Sequence, residues 1–360
     1  MTASFLLYGA NGYTGRLIAR HAVERGLRPL LAGRDAEAVQ ALAAELDLPH
    51  TAFALDDSRA LEAALSDVPL VLHCAGPFAH TMRPMADACL RTRTHYLDIT
   101  GEIGVFEALA ARSREAETAS VMLLPGAGFD VVPSDCLAAH LKRRLPAATH
   151  LALAFEGLGG GLSRGTATTM VENLGRGGAV RRNGRIQPVP TAWKTRRIDF
   201  GDGPVSTTTI PWGDVSTAYF STGIPNIEVY TRVGRWPRRT MIASRQLGWL
   251  LGSAPVQRLL KRVVQRGAPG PSDAQRARGA SRLWGEVTGG AGARVVSRLR
   301  TPEGYTLTAL TAVAAAEKAL AGQAPLGFQT PSLAFGADWI LEIPGVTRED
   351  SPHPQPLPQF

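Results

Sequence analysis

Phe5-Leu6-Leu7-Tyr8-Gly9-Ala10-Asn11-Gly12-Tyr13-Thr14-Gly15 is the stretch on which the fold reading turns. Four apolar or aromatic residues stop abruptly at glycine, after which Leu17, Ile18 and Val23 mark the buried side of a helix. The order is strand, glycine turn, helix. In a chain with 38 glycines a GxxGxxG spacing recurs by chance, so its position supplies the weight. After a first strand and before a first helix, Gly9 permits the tight turn, Gly12 lets backbone approach a pyrophosphate, and Gly15 allows close helix–strand packing. With Asn11, Tyr13 and Thr14, these residues form the expected dinucleotide-binding loop.

A second unit follows at the spacing such a nucleotide requires: Pro29 to Gly33, then Arg34, Asp35 and an alanine-rich helix from Ala36 to Leu46. An acidic residue at the end of this strand would bond the adenosine ribose hydroxyls of NAD, whereas an arginine suits a 2′-phosphate. Arg34 holds that place, and its planar fork matches phosphate. The expected cofactor is therefore NADP(H), with Asp35 assigned to the start of the following helix. A strand at Thr51 to Leu55 and a helix from Ser58, read as its N-cap, to Leu65 come next. Further strands are expected at Leu70 to Cys74, His95 to Asp98 and Val121 to Leu124, with helices near 83–91 and 103–117. Such alternation implies right-handed crossovers and an α/β, Rossmann-type doubly wound parallel sheet.

At 360 residues the chain is long enough for two domains, and 44% apolar with 19% charged residues is a globular composition. Three cysteines without CxxC spacing argue against a disulfide framework or a cysteine-rich zinc site, and no pair of histidines has helical ligand spacing; no metal is expected. The opening residues lack a basic region and reach glycine too soon for a signal peptide, and no apolar run approaches the roughly 20 residues of a spanning helix. A cytoplasmic protein is expected, with peripheral membrane association left open.

Loops at the carboxyl ends of the strands are where ligands sit in such a sheet. Ala75, Gly76 and Pro77 are expected to shape backbone near the nicotinamide ribose. Asp98, Thr100 and Glu102 follow the fifth strand, and Phe129 and Asp130 open the passage to the second domain. Tyr96, Asp98, Glu102 and Asp130 are the proton-relay candidates, although Asp98 and Thr100 could equally cap a helix. Beyond Pro125 the regular alternation ends. Strand-like runs at 151–155, 205–210, 227–233 and 285–299 suggest an α+β second domain with an antiparallel or mixed sheet, and Thr306 to Leu320 reads as a helix. Gly159 to Thr166 could be a second anion cradle or a plain connection; Ser163, Arg164 and Thr166, with Thr100 and Phe129, are the substrate-side candidates.

Gly9-to-Gly15, Cys74-Ala75-Gly76-Pro77-Phe78, Tyr96-to-Glu102 and Gly126-to-Asp135 together resemble the saccharopine dehydrogenase-like oxidoreductases, most nearly the bacterial trans-acting enoyl reductases. The likeness continues through Gly159 to Thr168, Glu303 to Tyr305 and Thr330 to Gly336. It implies an NADP-binding domain over 1–125, a substrate domain over 126–330 and a segment 331–347 returning to the nucleotide domain, while the end, 348–360, with four prolines after Ser351, reads from its composition as a mobile tail. It implies NADPH-dependent reduction of an enoyl bond in an apolar acyl substrate. A saccharopine-type imine reductase and a non-catalytic NADP(H)-binding protein at a membrane are the alternatives.

From Arg232 through Arg282 there are eleven arginines and one lysine against a single acid, Asp273, a net charge of +11 in a chain of +8. Ser253 and Pro255 open an expected amphipathic helix in which Val256, Leu259, Leu260, Val263 and Val264 form an apolar stripe beside Arg258, Lys261, Arg262 and Arg266. This basic insertion, 235–282, could meet an anionic membrane, dock an acidic acyl carrier protein, or pack on its own domain with its charges solvated. No nucleic-acid motif accompanies the charge, so no nucleic-acid partner is expected. A homodimer is compatible with these features.

Overall fold

The computed structural model describes residues 4–351, which form two compact units: one of residues up to 132 with 305–335, the other of 133–304 with the residues after 335. In chain order the first unit contains β1 (Leu6–Tyr8), α1 (Tyr13–Glu24), β2 (Leu30–Gly33), α2 (Ala36–Leu46), β3 (His50–Ala52), α3 (Ser58–Ser66) and β4 (Leu70–His73). It continues through α4 (Phe78–Thr92), β5 (His95–Asp98), α5 (Ile103–Ala110), α6 (Ser113–Ala119) and β6 (Met122–Leu124). Leu6, Leu7, Leu70, Val71 and Leu72 are fully buried, as expected of central parallel strands covered on both faces.

The second unit takes α7 (Val132–Arg144, from Pro133 onward), β7 (Ala148–Leu158), α8 (Arg164–Asn173), β8 (Gly178–Arg182), β9 (Arg185–Val189), β10 (Thr195–Asp199), β11 (Pro204–Thr209) and α9 (Asp214–Thr222). β12 (Asn226–Arg232), α10 (Arg235–Ala243), α11 (Gly248–Leu251), α12 (Ala254–Arg266), α13 (Asp273–Arg278), β13 (Ala280–Gly289) and β14 (Arg294–Pro302) complete its main run. The chain then returns to the first unit for most of α14 (Gly304–Leu320), β15 (Gly327–Phe328) and α15 (Pro331–Phe335), and ends in the second with β16 (Thr347–Asp350).

The first sheet is wholly parallel, in the order β15-β6-β5-β4-β1-β2-β3. Its strand order reverses between β1 and β4, and ligands bind at such a switch point. The second sheet runs β10-β11-β12-β7-β13-β14-β16, with β8 and β9 off its path; the β12–β7 pair is parallel and the other pairs are antiparallel. The expected mixed sheet is thus present. Gly285 lies under α7, where a Cβ would meet Leu141 at 2.5 Å and Leu137 at 3.1 Å. Neighbouring Trp284, pointing to the opposite face, packs with Ala154, Ile198, Phe200, Tyr230 and Val296.

Several boundaries differ from the sequence reading. The return to the first unit is made by 305–335, not 331–347, because β15 pairs beside β6 and Thr311 of α14 bonds Ala127. Residues 336–351 belong to the second unit. Of the tail expected at 348–360, Arg348 to Asp350 extend β16 along β14, where Asp350 is held by His140 and Ser297; the part from 352 on lies outside the described residues. Asp57, not Ser58, caps α3. The arginine-rich hairpin of β8 and β9 was not anticipated. Its turn residues Asn183 and Gly184, with φ of 50° and 76°, are the Asn-Gly pair that favours a two-residue hairpin.

Candidate functional site

Three loops at the carboxyl ends of neighbouring strands build the site in the first unit. In the first, Gly9 has φ +82°, and a Cβ there would lie 2.8 Å from the Ala75 nitrogen and 2.9 Å from the Cys74 carbonyl carbon. The glycine loop after β1 and the Ala75 loop after β4 therefore touch through backbone. A Cβ on Gly15 would lie 2.9 Å from Ala10 Cα and closer still to the Gly9 carbonyl oxygen, so only glycine lets α1 start this near the strand. Gly12 caps α1 with extended backbone and no side-chain hydrogen bond, leaving a helix N-terminus suited to an anion. Asn11 reaches the end of β2, its Oδ1 3.0 Å from where a Gly33 Cβ would be. Thr14 is half-buried, and Tyr13 packs edge-on against Tyr305 at 5.1 Å.

Arg34 follows β2, exposed and without a hydrogen bond or ion pair among the described residues. Asp35 is the N-cap of α2, accepting from the Ala38 amide at 3.1 Å, so the carboxylate beside Arg34 is engaged in the helix start. These residues fit a dinucleotide phosphorylated on its adenosine ribose: a bare-backbone cradle, a helix N-terminus, and a guanidinium where a carboxylate would repel phosphate.

The second loop, Ala75, Gly76 and Pro77, contains a cis Gly76–Pro77 bond and leads into α4. Glu102 spans that helix start, accepting from the Phe78 amide at 2.7 Å and the Ala79 amide at 3.0 Å. Thr81 donates to the Ala75 carbonyl at 2.6 Å and meets His73 Nε2 at 3.0 Å. Burial pulls the His73 imidazole down to about 3, so it is neutral at physiological pH.

The third group of residues lies beyond β5 and β6. Asp98 is fully buried and accepts from the Tyr96 hydroxyl at 2.6 Å and from the Thr100 and Gly126 amides at 2.9 Å each. Desolvation raises its carboxyl to about 6 even against those donors. Burial likewise pushes the Tyr96 hydroxyl well above its ordinary value. Buried Thr100 accepts from the Glu102 amide through Oγ1. Tyr96, Asp98, Thr100 and Glu102 thus hold the strand ends and the start of α4 in place.

Asp130 is different. Its half-buried carboxyl packs against Gly101, where a Cβ would come within 2.5 Å of Oδ2, and no hydrogen bond is made to it among the described residues. Desolvation pushes it up to about 7. The loop carrying it is pinned from α14: Thr308 Oγ1 accepts from the Phe129 amide at 3.0 Å, and Thr311 donates to the Ala127 carbonyl at 2.9 Å. Thr308 and Thr311 were not singled out from the sequence. Each lies more than 150 residues from its partner, and no local pattern marks it.

In the second unit Ser163 caps α8 and accepts from the Thr166 amide at 3.2 Å. The Arg164 guanidinium donates twice to the Gly267 carbonyl, at 2.9 and 2.6 Å, and its amide donates to Pro269. The Gly159 to Thr166 stretch is thereby fastened to the basic insertion. Among the described residues no cluster of three or more histidine, cysteine or acidic side chains could hold a metal.

Residues 5–124 match the family described as the saccharopine dehydrogenase NADP binding domain. A trans-acting enoyl reductase of Mycobacterium leprae is 33% identical over 148 residues, covering 39% of this chain and 35% of that protein. One from Mycobacterium tuberculosis is 31% identical over 147 residues, with the same coverages. The chain thus spans about a third of the length of these curated relatives. Apo saccharopine dehydrogenase (L-Glu forming) from Saccharomyces cerevisiae shares the fold, with a TM-score of 0.67 over 97% of this chain and 100% of that one at 12% identity. Both resemblances read from the sequence motifs are borne out.

Proposed function

Because residues 5–124 are a saccharopine dehydrogenase-type NADP-binding domain, we propose that this chain is an NADPH-dependent oxidoreductase that reduces an enoyl bond in an apolar acyl substrate. The observation that carries the proposal is the pairing of a glycine cradle and Arg34 with a carboxyl of raised pKa, Asp130, in the same unit. The likeness to trans-acting enoyl reductases favours the carbon–carbon double bond as the target.

The start of α1 would hold the pyrophosphate, with the glycines of the preceding loop letting it approach the backbone, Arg34 the 2′-phosphate, and Ala75 to Pro77 the backbone beside the nicotinamide ribose. When bound, NADPH would supply the hydride for an enoyl β-carbon. The protein has to supply the matching proton at the α-carbon. Asp130 holds one: with its carboxyl near 7, a large share of molecules carry the proton at neutral pH, and no hydrogen bond among the described residues competes for it. Tyr96, Asp98 and Glu102 keep the surrounding loops rigid.

The test is where the label goes. With NADPH deuterated at C4, in water, deuterium should appear at the β-carbon of a reduced enoyl thioester. With ordinary NADPH in deuterium oxide it should appear at the α-carbon. Label on the carbon of a carbon–nitrogen bond, from mixtures of amino acids and keto acids, would instead support the second reading, saccharopine-type imine reduction, which the family of residues 5–124 favours.

A further inference from the structure

The basic insertion makes its own case, independent of the reaction. Helix α12 packs on α8 through one side only: Gln257 donates to the Val171 and Glu172 carbonyls at 3.4 Å, and Lys261 pairs with Glu172 at 2.6 Å. Val256, Leu260 and Val264 are half-buried on that inner side. The apolar stripe expected from the sequence is wider than what the domain covers. Leu259 and Val263, one turn apart, remain 60% and 58% exposed. Along the next ridge, four residues apart each time, run Arg258, Arg262 and Arg266, all exposed.

The neighbouring helices repeat the combination. Trp236 on α10 and Trp249 on α11 are 75% and 77% exposed, and the Arg239 guanidinium lies 5.1 Å from the centre of the Trp236 ring. Asp273 is the one acid between residues 235 and 282, and it pairs with Arg276. Exposed indoles, aliphatic side chains and arginines on short helices are the chemistry of an interfacial anchor: rings and methyl groups enter the headgroup boundary while guanidinium groups meet lipid phosphates. A second copy of this chain would bring the same dense positive charge and be repelled. No helix among the described residues is long and apolar enough to cross a membrane.

We infer that the segment 235–282 docks the protein peripherally on an anionic phospholipid surface. Each basic group at such a surface is worth about fivefold in partition, and the attraction is screened over about 10 Å at 0.1 M salt.

The full-length protein is to be sedimented with phosphatidylcholine vesicles with and without phosphatidylglycerol, at low and high salt. Binding is expected to the phosphatidylglycerol vesicles alone, and to fall as salt rises. The double variant Arg258→Glu with Arg262→Glu should partition at least about 25-fold more weakly, by that fivefold for each group. Leu259→Ser with Val263→Ser should cost about tenfold while leaving the salt dependence in place. Because all four side chains are exposed, thermal melts should match the wild type and exclude misfolding. Equal binding to neutral vesicles, unchanged partition of both variants, or capture of an acidic acyl carrier protein without any vesicle binding would overturn the inference.

Discussion

Replacing Asp130 by asparagine should lower kcat for enoyl reduction by about 10²- to 10⁴-fold, the usual worth of a positioned proton donor, with NADPH affinity within about twofold of wild type. The amide is close to isosteric, so the packing against Gly101 and the Phe129–Thr308 bond should survive. What disappears is the transferable proton. The pH profile gives an independent reading. A donor must be protonated, and desolvation sets this carboxyl near 7, so wild-type activity should be level below that point and fall about tenfold per pH unit above it. In Asp130→Asn the alkaline fall should vanish with most of the rate. A variant that keeps wild-type kcat would remove Asp130 from the chemistry. Asp98 gives a contrasting case: its carboxyl is also raised, to about 6, but it is enclosed by three donors, so its protonation state bears on the fold first.

Arg34→Ala should weaken NADPH binding by roughly ten- to a hundredfold, about 1.5–3 kcal/mol for one charge-assisted contact to phosphate, and leave NADH binding nearly unchanged. The side chain is exposed and makes no hydrogen bond or ion pair among the described residues, so its removal should not disturb the fold. Asp35 is engaged with the Ala38 amide at the start of α2. Titration of both cofactors against both proteins checks this. Equal affinity of the wild type for NADPH and NADH would show that Arg34 does not read the phosphate.

The nucleotide domain was legible because its determinants are local. Gly9, Gly12 and Gly15 lie within one turn and one helix start, and the apolar strands Leu6–Tyr8 and Leu70–His73 announce themselves as short continuous runs. The roles of Tyr96, Asp98 and Glu102 were less legible. Acidic and hydroxyl side chains at strand ends look alike in sequence whether they meet substrate or bond backbone, and the Phe78 and Ala79 amides that Glu102 accepts from lie more than 20 residues away. The domain boundary was misplaced for the same reason, since nothing near residue 305 signals that α14 packs under a loop at 126–130. On α12 the period gave the apolar stripe, but which half of it the domain covers depends on α8, and only the fold shows Leu259 and Val263 facing outward.

The most direct measurement is NADPH oxidation by the purified full-length chain against a panel of enoyl thioesters, free and carrier-bound, run beside imine-forming mixtures of amino acids and keto acids. NADPH-dependent turnover of enoyl thioesters, rising with acyl chain length and absent from the imine mixtures, is the expected result. Turnover of imines alone, or none with any substrate while NADPH still binds, would contradict enoyl reduction as the function of this chain.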